Sequence, residues 1–230
     1  MERLDSIIQK IRPTYPRPST CNDPGGDFPA EELAGLLRKP DCDLTETDLV
    51  CLFQGGLPAG EYHEVMYFLP VALKHIAESR ESDTADHLLR WMAHNRESLL
   101  ADGYYDDLLD FFETLFAELT SGCILQGDYV KNSSLGDALV GVLNEEYDGM
   151  GDRLMEKYLG RVETRPQAGW LLCLLADHYA GLHRKSAWLA SVARNHELRQ
   201  KMYDVIAAEA VEDEDSLLFW SNQLDRCGIC

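Results

Sequence analysis

Apolar residues recur every three or four positions through nearly the whole length of this chain. Between residues 61 and 79 they fall at Tyr62, Val65, Met66, Leu69, Leu73 and Ile76, and between 82 and 100 at Leu88, Leu89, Trp91, Met92, Leu99 and Leu100. That spacing is the period of an α-helix with one buried face, and the strict alternation of a half-buried strand is almost nowhere present. The chain is therefore predicted to be all-α, an irregular helical bundle or α-solenoid-like array of about ten helices. No repeat of fixed period with signature residues can be aligned along it, as a TPR or ankyrin array would show.

Start and stop signals divide the pattern. Leu4, Ile7, Ile8 and Ile11 predict a first helix that ends before Pro13, and Asp27 stands where it can cap a second helix over 29–38. Thr45 and Asp48 have capping-box spacing ahead of a short helix closed by Gly55 and Gly56. Pro70 predicts a break within 61–79. Thr164 and Pro166 open a long helix through Trp170, Leu171, Leu174, Leu175 and Tyr179, and its stretch 168–176 is the most apolar run in the chain, hence predicted core. Helical periodicity lapses at 120–134. There Cys123, Ile124 and Leu125, a turn at Gly127-Asp128, and Tyr129 and Val130 fit either one minor hairpin or an ordinary loop. The lapse predicts an N-terminal acidic lobe over 1–122 and a C-terminal lobe over 134–230, which can also pack as a single domain.

With 230 residues, 45% hydrophobic and 27% charged, the chain is long and apolar enough to bury a core without metals or disulfides. Its charge is the feature furthest from the average. The formal net charge is −19, and residues 1–152 hold 11 Lys+Arg against 29 Asp+Glu, while 153–201 carry a net +5. Such a surface repels phosphate backbones and anionic lipid, so neither nucleic acid nor membrane is expected as a partner, and a basic protein is. Solubility is the competing account of the same surplus. No apolar window is long enough to span a bilayer, the N-terminus has no secretory pattern, and the seven irregularly spaced cysteines fit reduced thiols. Together these predict a cytoplasmic protein.

Standard catalytic signatures are missing, and no cofactor or metal site is predicted. His87 and His94 share a helical face without a carboxylate at ligand spacing, and His178 and His183, five apart, would sit about 140° apart around a helix. Asp106, Asp110 and Glu113 fall at i, i+4 and i+7, a carboxylate line on a helix whose other positions include Leu108, Phe111, Phe112, Leu115 and Phe116. These three are the candidate partner-binding residues. The same line is what the solvated face of an ordinary amphipathic helix displays. Glu145, Glu146, Asp148 and Asp152 flank a glycine break without the register of a calcium loop, which predicts a helix–helix turn. Cys227 and Cys230 follow a helix with no second pair and are read as incidental thiols. Arg184, Lys185, Arg194, Arg199 and Lys201 form a basic stretch, either a seat for an anionic group or an intramolecular counterweight to the acidic residues.

Gly136-Asp137-Ala138-Leu139 resembles a short stretch of the ADP-ribosylglycohydrolases, all-α enzymes that place carboxylates around magnesium. The likeness covers four residues, and the Thr-Asp-Asp-Thr motif of that family has only Ser82-Asp83-Thr84, upstream and without the second Asp, as a counterpart here. The resemblance implies a metal-dependent hydrolase that uses Asp137, and the alternative draws on some of Asp106, Asp110, Asp137 and Asp148. The leading expectation is a non-enzymatic module that offers an acidic helical surface to a basic protein, the logic of immunity-type and scaffold proteins.

Overall fold

The structure is a computed structural model that describes residues 2–20, 29–53, 61–124, 129–209 and 214–227. Those residues form fourteen α-helices and no strand. The first seven are α1 (Glu2–Thr14), α2 (Ala30–Arg38), α3 (Glu46–Phe53), α4 (Tyr62–Met66), α5 (Leu69–Ser79), α6 (Ser82–His94) and α7 (Arg96–Ala101). There follow α8 (Tyr105–Ser121), α9 (Tyr129–Glu146), α10 (Met150–Leu159), α11 (Arg165–Tyr179), α12 (Ala187–Val192), α13 (His196–Glu209) and α14 (Glu214–Arg226). The count exceeds ten because long periodic stretches are cut into short helices. Pro70 sits in the first turn of α5, where its missing N–H has no helical partner to lose, and so separates α4 from α5. None of the described helices is long and apolar enough to cross a membrane.

Two local expectations are corrected. Helix α1 runs through Pro13 to Thr14, and the Tyr15 N–H still reaches the Ile11 carbonyl at 3.0 Å. A proline in the last turn costs one bond at an end that frays anyway. Tyr129 and Val130 do not form a hairpin strand but open α9, and Cys123 and Ile124 are not in a strand either. The Tyr129 ring packs edge-on against Phe219, centroids 4.9 Å apart, a tertiary contact that outweighs the weak strand preference of Tyr and Val. Asp27, Gly55, Gly56 and the Gly127-Asp128 turn lie outside the described residues.

The chain divides into two compact units, Met1–Phe112 and Glu113–Cys230, with the division inside α8. In the first, α6 packs against α3 and α5, and α1 packs against α5. Trp91 is buried at its centre, with Phe53 edge-on at 5.4 Å and Tyr62 stacked at 5.7 Å. In the second, α11 is buried on every side from Ala168 to Ala176 and is contacted by α10, α12, α13 and α14. An all-round apolar helix has to be enclosed in this way. Two glycines let tryptophans into this core. A Cβ on Gly136 of α9 would stand 2.4 Å from the Trp170 ring, and one on Gly169 of α11 would stand 2.6 Å from Trp220. Gly136, the first residue of the hydrolase-like stretch, is thus required by packing.

The two helix starts read at Thr45 and Thr164 are capped, and Ser186 adds a cap that spacing did not mark. Thr45 and Asp48 bond reciprocally ahead of α3, Ser186 Oγ accepts from Leu189 N, and Thr164 and Gln167 make a full capping box on α11. Thr164→Ala is expected to cost about 1 kcal/mol of stability in denaturant titration, with Thr164→Ser close to the parent.

Candidate functional site

The first unit holds 10 Lys+Arg against 21 Asp+Glu, a net −11. Four of its cations are drawn into ion pairs within the unit: Arg17 with Asp41 at 3.2 Å, Lys39 with Asp48 at 2.7 Å, Arg90 with Asp86 at 3.0 Å and Lys10 with Asp107 at 2.5 Å. Each pair cancels one for one. The surplus over the whole unit is negative, and carboxylates such as Asp5, Glu31, Glu97 and Asp106 stand at exposed positions.

Tyrosines organise two of the carboxylates in this unit. Tyr67 Oη donates to both oxygens of Asp41 at 3.1 Å, and Arg17 pairs with the same carboxylate while its guanidinium lies 5.5 Å from the centre of the Tyr67 ring. At the turn between α7 and α8, Tyr15 Oη and Tyr62 Oη both donate to Asp102 Oδ2, at 2.5 and 2.7 Å. Burial, then the hydrogen bond to Asp102, pushes the Tyr15 hydroxyl up to about 12, and the same two causes in the same order lift Tyr62 further. Both phenols stay protonated donors at any physiological pH. No spacing rule connects positions 15, 62 and 102, so this cluster was not anticipated from the sequence.

The three candidate residues on α8 differ in their surroundings. Asp106 and Asp110 are exposed in the first unit, where Asp106 and Asp107 also complement the positive end of the helix dipole. Glu113 belongs to the second unit. It is half-buried and accepts from Lys157 Nζ at 2.6 Å and from Tyr158 Oη at 3.1 Å. Its charge has an intramolecular use.

A second polar cluster lies within the second unit. His183 Nε2 donates to Asp137 Oδ1 at 3.0 Å, His178 Nδ1 donates to the His183 carbonyl at 3.2 Å, and Arg226 pairs with Asp177 at 3.3 Å. His183 has a φ of 49°, in the left-handed region where His is enriched among non-glycine residues. Here the two histidines meet because α11 ends at Tyr179 and the chain turns back, which helical azimuths do not foresee. Asp137 thus has a histidine partner, while Asp148 is an exposed turn residue with a φ of 51°. Among the described residues no three of His, Cys, Asp and Glu are gathered as metal ligands. Of the carboxylates in the hydrolase alternative, Asp106, Asp110 and Asp148 are exposed and Asp137 is held by His183.

Burial, then the charge of Asp137, raises the Asp177 pKa, against the opposing pull of Arg226 and His183. The folded state therefore holds this proton more tightly than the unfolded chain. Its contribution to stability is present in acid and is lost as pH rises through the raised folded value. Asp177→Asn is expected to flatten that part of the stability–pH curve, and an unchanged slope above the ordinary carboxyl value of 3.8 would refute the assignment.

Three residues of the basic stretch are engaged within the second unit. Lys185 pairs with Glu145 at 2.9 Å, Arg199 donates to the Ala193 carbonyl at 3.0 Å and Lys201 to the Arg161 carbonyl at 2.5 Å. The five described cysteines, 42, 51, 123, 173 and 227, are free, and burial raises the thiols of Cys173 and Cys227. Cys230 lies outside the described residues. A cleft of about 340 Å³ in the first unit has Lys74, His75 and Glu78 on its wall, beside Asp41, which Arg17 and Tyr67 already hold. Those groups already pair within reach, Lys74 with Glu78 at 3.9 Å and His75 with Glu81 at 3.3 Å. Comparison of the chain with family models, curated proteins and solved structures returns no match in any of the three.

Proposed function

We propose that this protein is a non-catalytic binding module that presents an acidic helical surface, with Asp106 and Asp110 on its α8 face, to a basic protein partner. The observation that carries the reading is the pairing pattern of the first unit. Four of its cations sit in one-to-one ion pairs, and within a net −11 by composition, carboxylates such as Asp5, Glu31, Glu97 and Asp106 stand at exposed positions. A field of one sign speeds encounter with an oppositely charged protein and repels phosphate backbones and anionic lipid. Glu113, held by Lys157 and Tyr158, supports the helix from the second unit and contributes less to recognition.

The test is capture on immobilised protein from native lysate at low and high salt, followed by association kinetics with what is captured. A basic protein is expected at low salt, and its association is expected to slow as screening shortens the reach of the field to about 8 Å at physiological ionic strength. Asp106→Asn with Asp110→Asn should slow association about tenfold at low salt, and Glu113→Gln should slow it less. Identical capture by the parent and the double variant would leave solubility as the role of the charge.

A further inference from the structure

We propose that Asp102, with Tyr15 and Tyr62, is the seat for an arginine side chain of the basic partner. This rests on the functional reading above and names the chemistry the partner brings.

The argument comes from a triad the protein has already built. At Asp41 a tyrosine hydroxyl donates to the carboxylate, and the guanidinium of Arg17 bonds that carboxylate while lying against the ring of the same tyrosine. At Asp102 the tyrosine and carboxylate parts are repeated, with two hydroxyl donors in place of one, both on Oδ2. Asp102 makes no ion pair among the described residues, and the protein supplies no described donor to its other oxygen. Asp102 is exposed, Tyr15 and Tyr62 are half-buried, and the rings of Tyr15 and Tyr62 stand nearly perpendicular at 88°, with centroids 6.3 Å apart. Tyr62 is fixed from behind by its stack on Trp91, and Tyr15 also meets the buried Tyr104 at 6.3 Å. The rings are thus held before any partner arrives, which lowers the ordering cost of binding.

Two electrostatic terms favour a cation here. An ionised carboxylate attracts it directly, and aromatic faces add cation–π attraction. Arginine suits the seat better than lysine, because its planar, weakly hydrated guanidinium both stacks on rings and forks onto a carboxylate. Arg96 over Tyr105, 5.3 Å from the ring centre, is a second pairing of this kind in the same unit. Arginine and tyrosine are also the residue types over-represented among interface hot spots.

The probe is a blocked Arg-Gly-Arg-Gly-Arg peptide, with its lysine counterpart as comparison, titrated into protein carrying ring-labelled tyrosine for NMR. Saturable movement of the Tyr15 and Tyr62 resonances is expected, with the lysine peptide several-fold weaker. Asp102→Asn still accepts the two hydroxyls through its amide oxygen while losing the charge, and should weaken the arginine peptide about tenfold. Asp5→Asn removes the same charge from an exposed position on α1 and should change affinity less than twofold. Unmoved tyrosine resonances in the parent, or equal weakening by the two variants, overturns the proposal. The outcomes separate from those of the functional reading. Partner association slowed by Asp106→Asn with Asp110→Asn, yet untouched by Asp102→Asn, overturns the arginine seat and leaves the acidic module standing. If no salt-sensitive basic partner is captured, the functional reading falls and the peptide titration decides the seat by itself.

Discussion

Trp170→Ala is expected to lower the free energy of unfolding by about 3–5 kcal/mol. Trp170 is 1% exposed on the helix that the second unit encloses, and its indole N–H donates to the Gly122 carbonyl at 3.2 Å. Truncation removes the largest kind of apolar side chain, opens a cavity and leaves that carbonyl without its donor. The glycine opposite makes the test specific. Gly136→Ala by itself places a methyl where the Trp170 ring now stands, an overpacking cost of about 1–3 kcal/mol set against about 1 kcal/mol of regained helix propensity. In the Trp170→Ala background the same methyl enters empty space and should stabilise. Chemical denaturation of both single variants and the double should therefore show strong non-additivity. Additive effects would mean that the ring and the glycine do not meet.

The second large effect belongs to Asp152, in the first turn of α10. One carboxylate oxygen accepts from Ser186 Oγ at 2.6 Å and from Asn144 Nδ2 at 2.9 Å, and the other accepts from the Trp188 N–H at 3.0 Å. Its own N–H donates to Asn144 Oδ1 at 2.7 Å. A single side chain thereby joins α9, α10 and the start of α12. Gly151 makes the approach possible, since a Cβ there would stand 2.6 Å from the Val140 carbonyl oxygen. Hydrogen bonds to an ionised acceptor contribute about 1.5–3 kcal/mol each and are not additive, so Asp152→Ala should cost about 2–4 kcal/mol. Asp152→Asn, which keeps one acceptor for Trp188 but turns a donor toward other donors, should fall between. A loss below half a kilocalorie would show that this junction is held by its apolar contacts.

Neither residue was marked by its own sequence context as the more important of its kind. Asp152 was one of four carboxylates around a glycine break, and the segment was read correctly as a helix–helix turn. Glu145, Glu146 and Asp148 are exposed, whereas Asp152 is half-buried and triply bonded. Likewise Gly136 drew attention as part of a four-residue enzyme resemblance, and its place against Trp170 gives it a packing role. Asp137, which follows it, acquires a histidine partner from a turn 46 residues downstream.

What the sequence determined by itself is what depends on neighbours along the chain. The helical period selects α over β, the run 168–176 is apolar on all sides and so has to be enclosed, and Thr45 and Thr164 cap the helices that follow them because capping reaches only three residues ahead. The acidic surplus is equally legible, being a property of composition. Tertiary structure decided the rest. It set α9 going at Tyr129 through a ring contact with Phe219, carried α1 past Pro13, and gave Glu113 a lysine while leaving Asp106 and Asp110 at the surface. It also brought Tyr15 and Tyr62 onto Asp102, 87 and 40 residues away. Hydrogen bonds and ion pairs act over about 3–4 Å, a range at which distance along the chain carries no information once helices have packed.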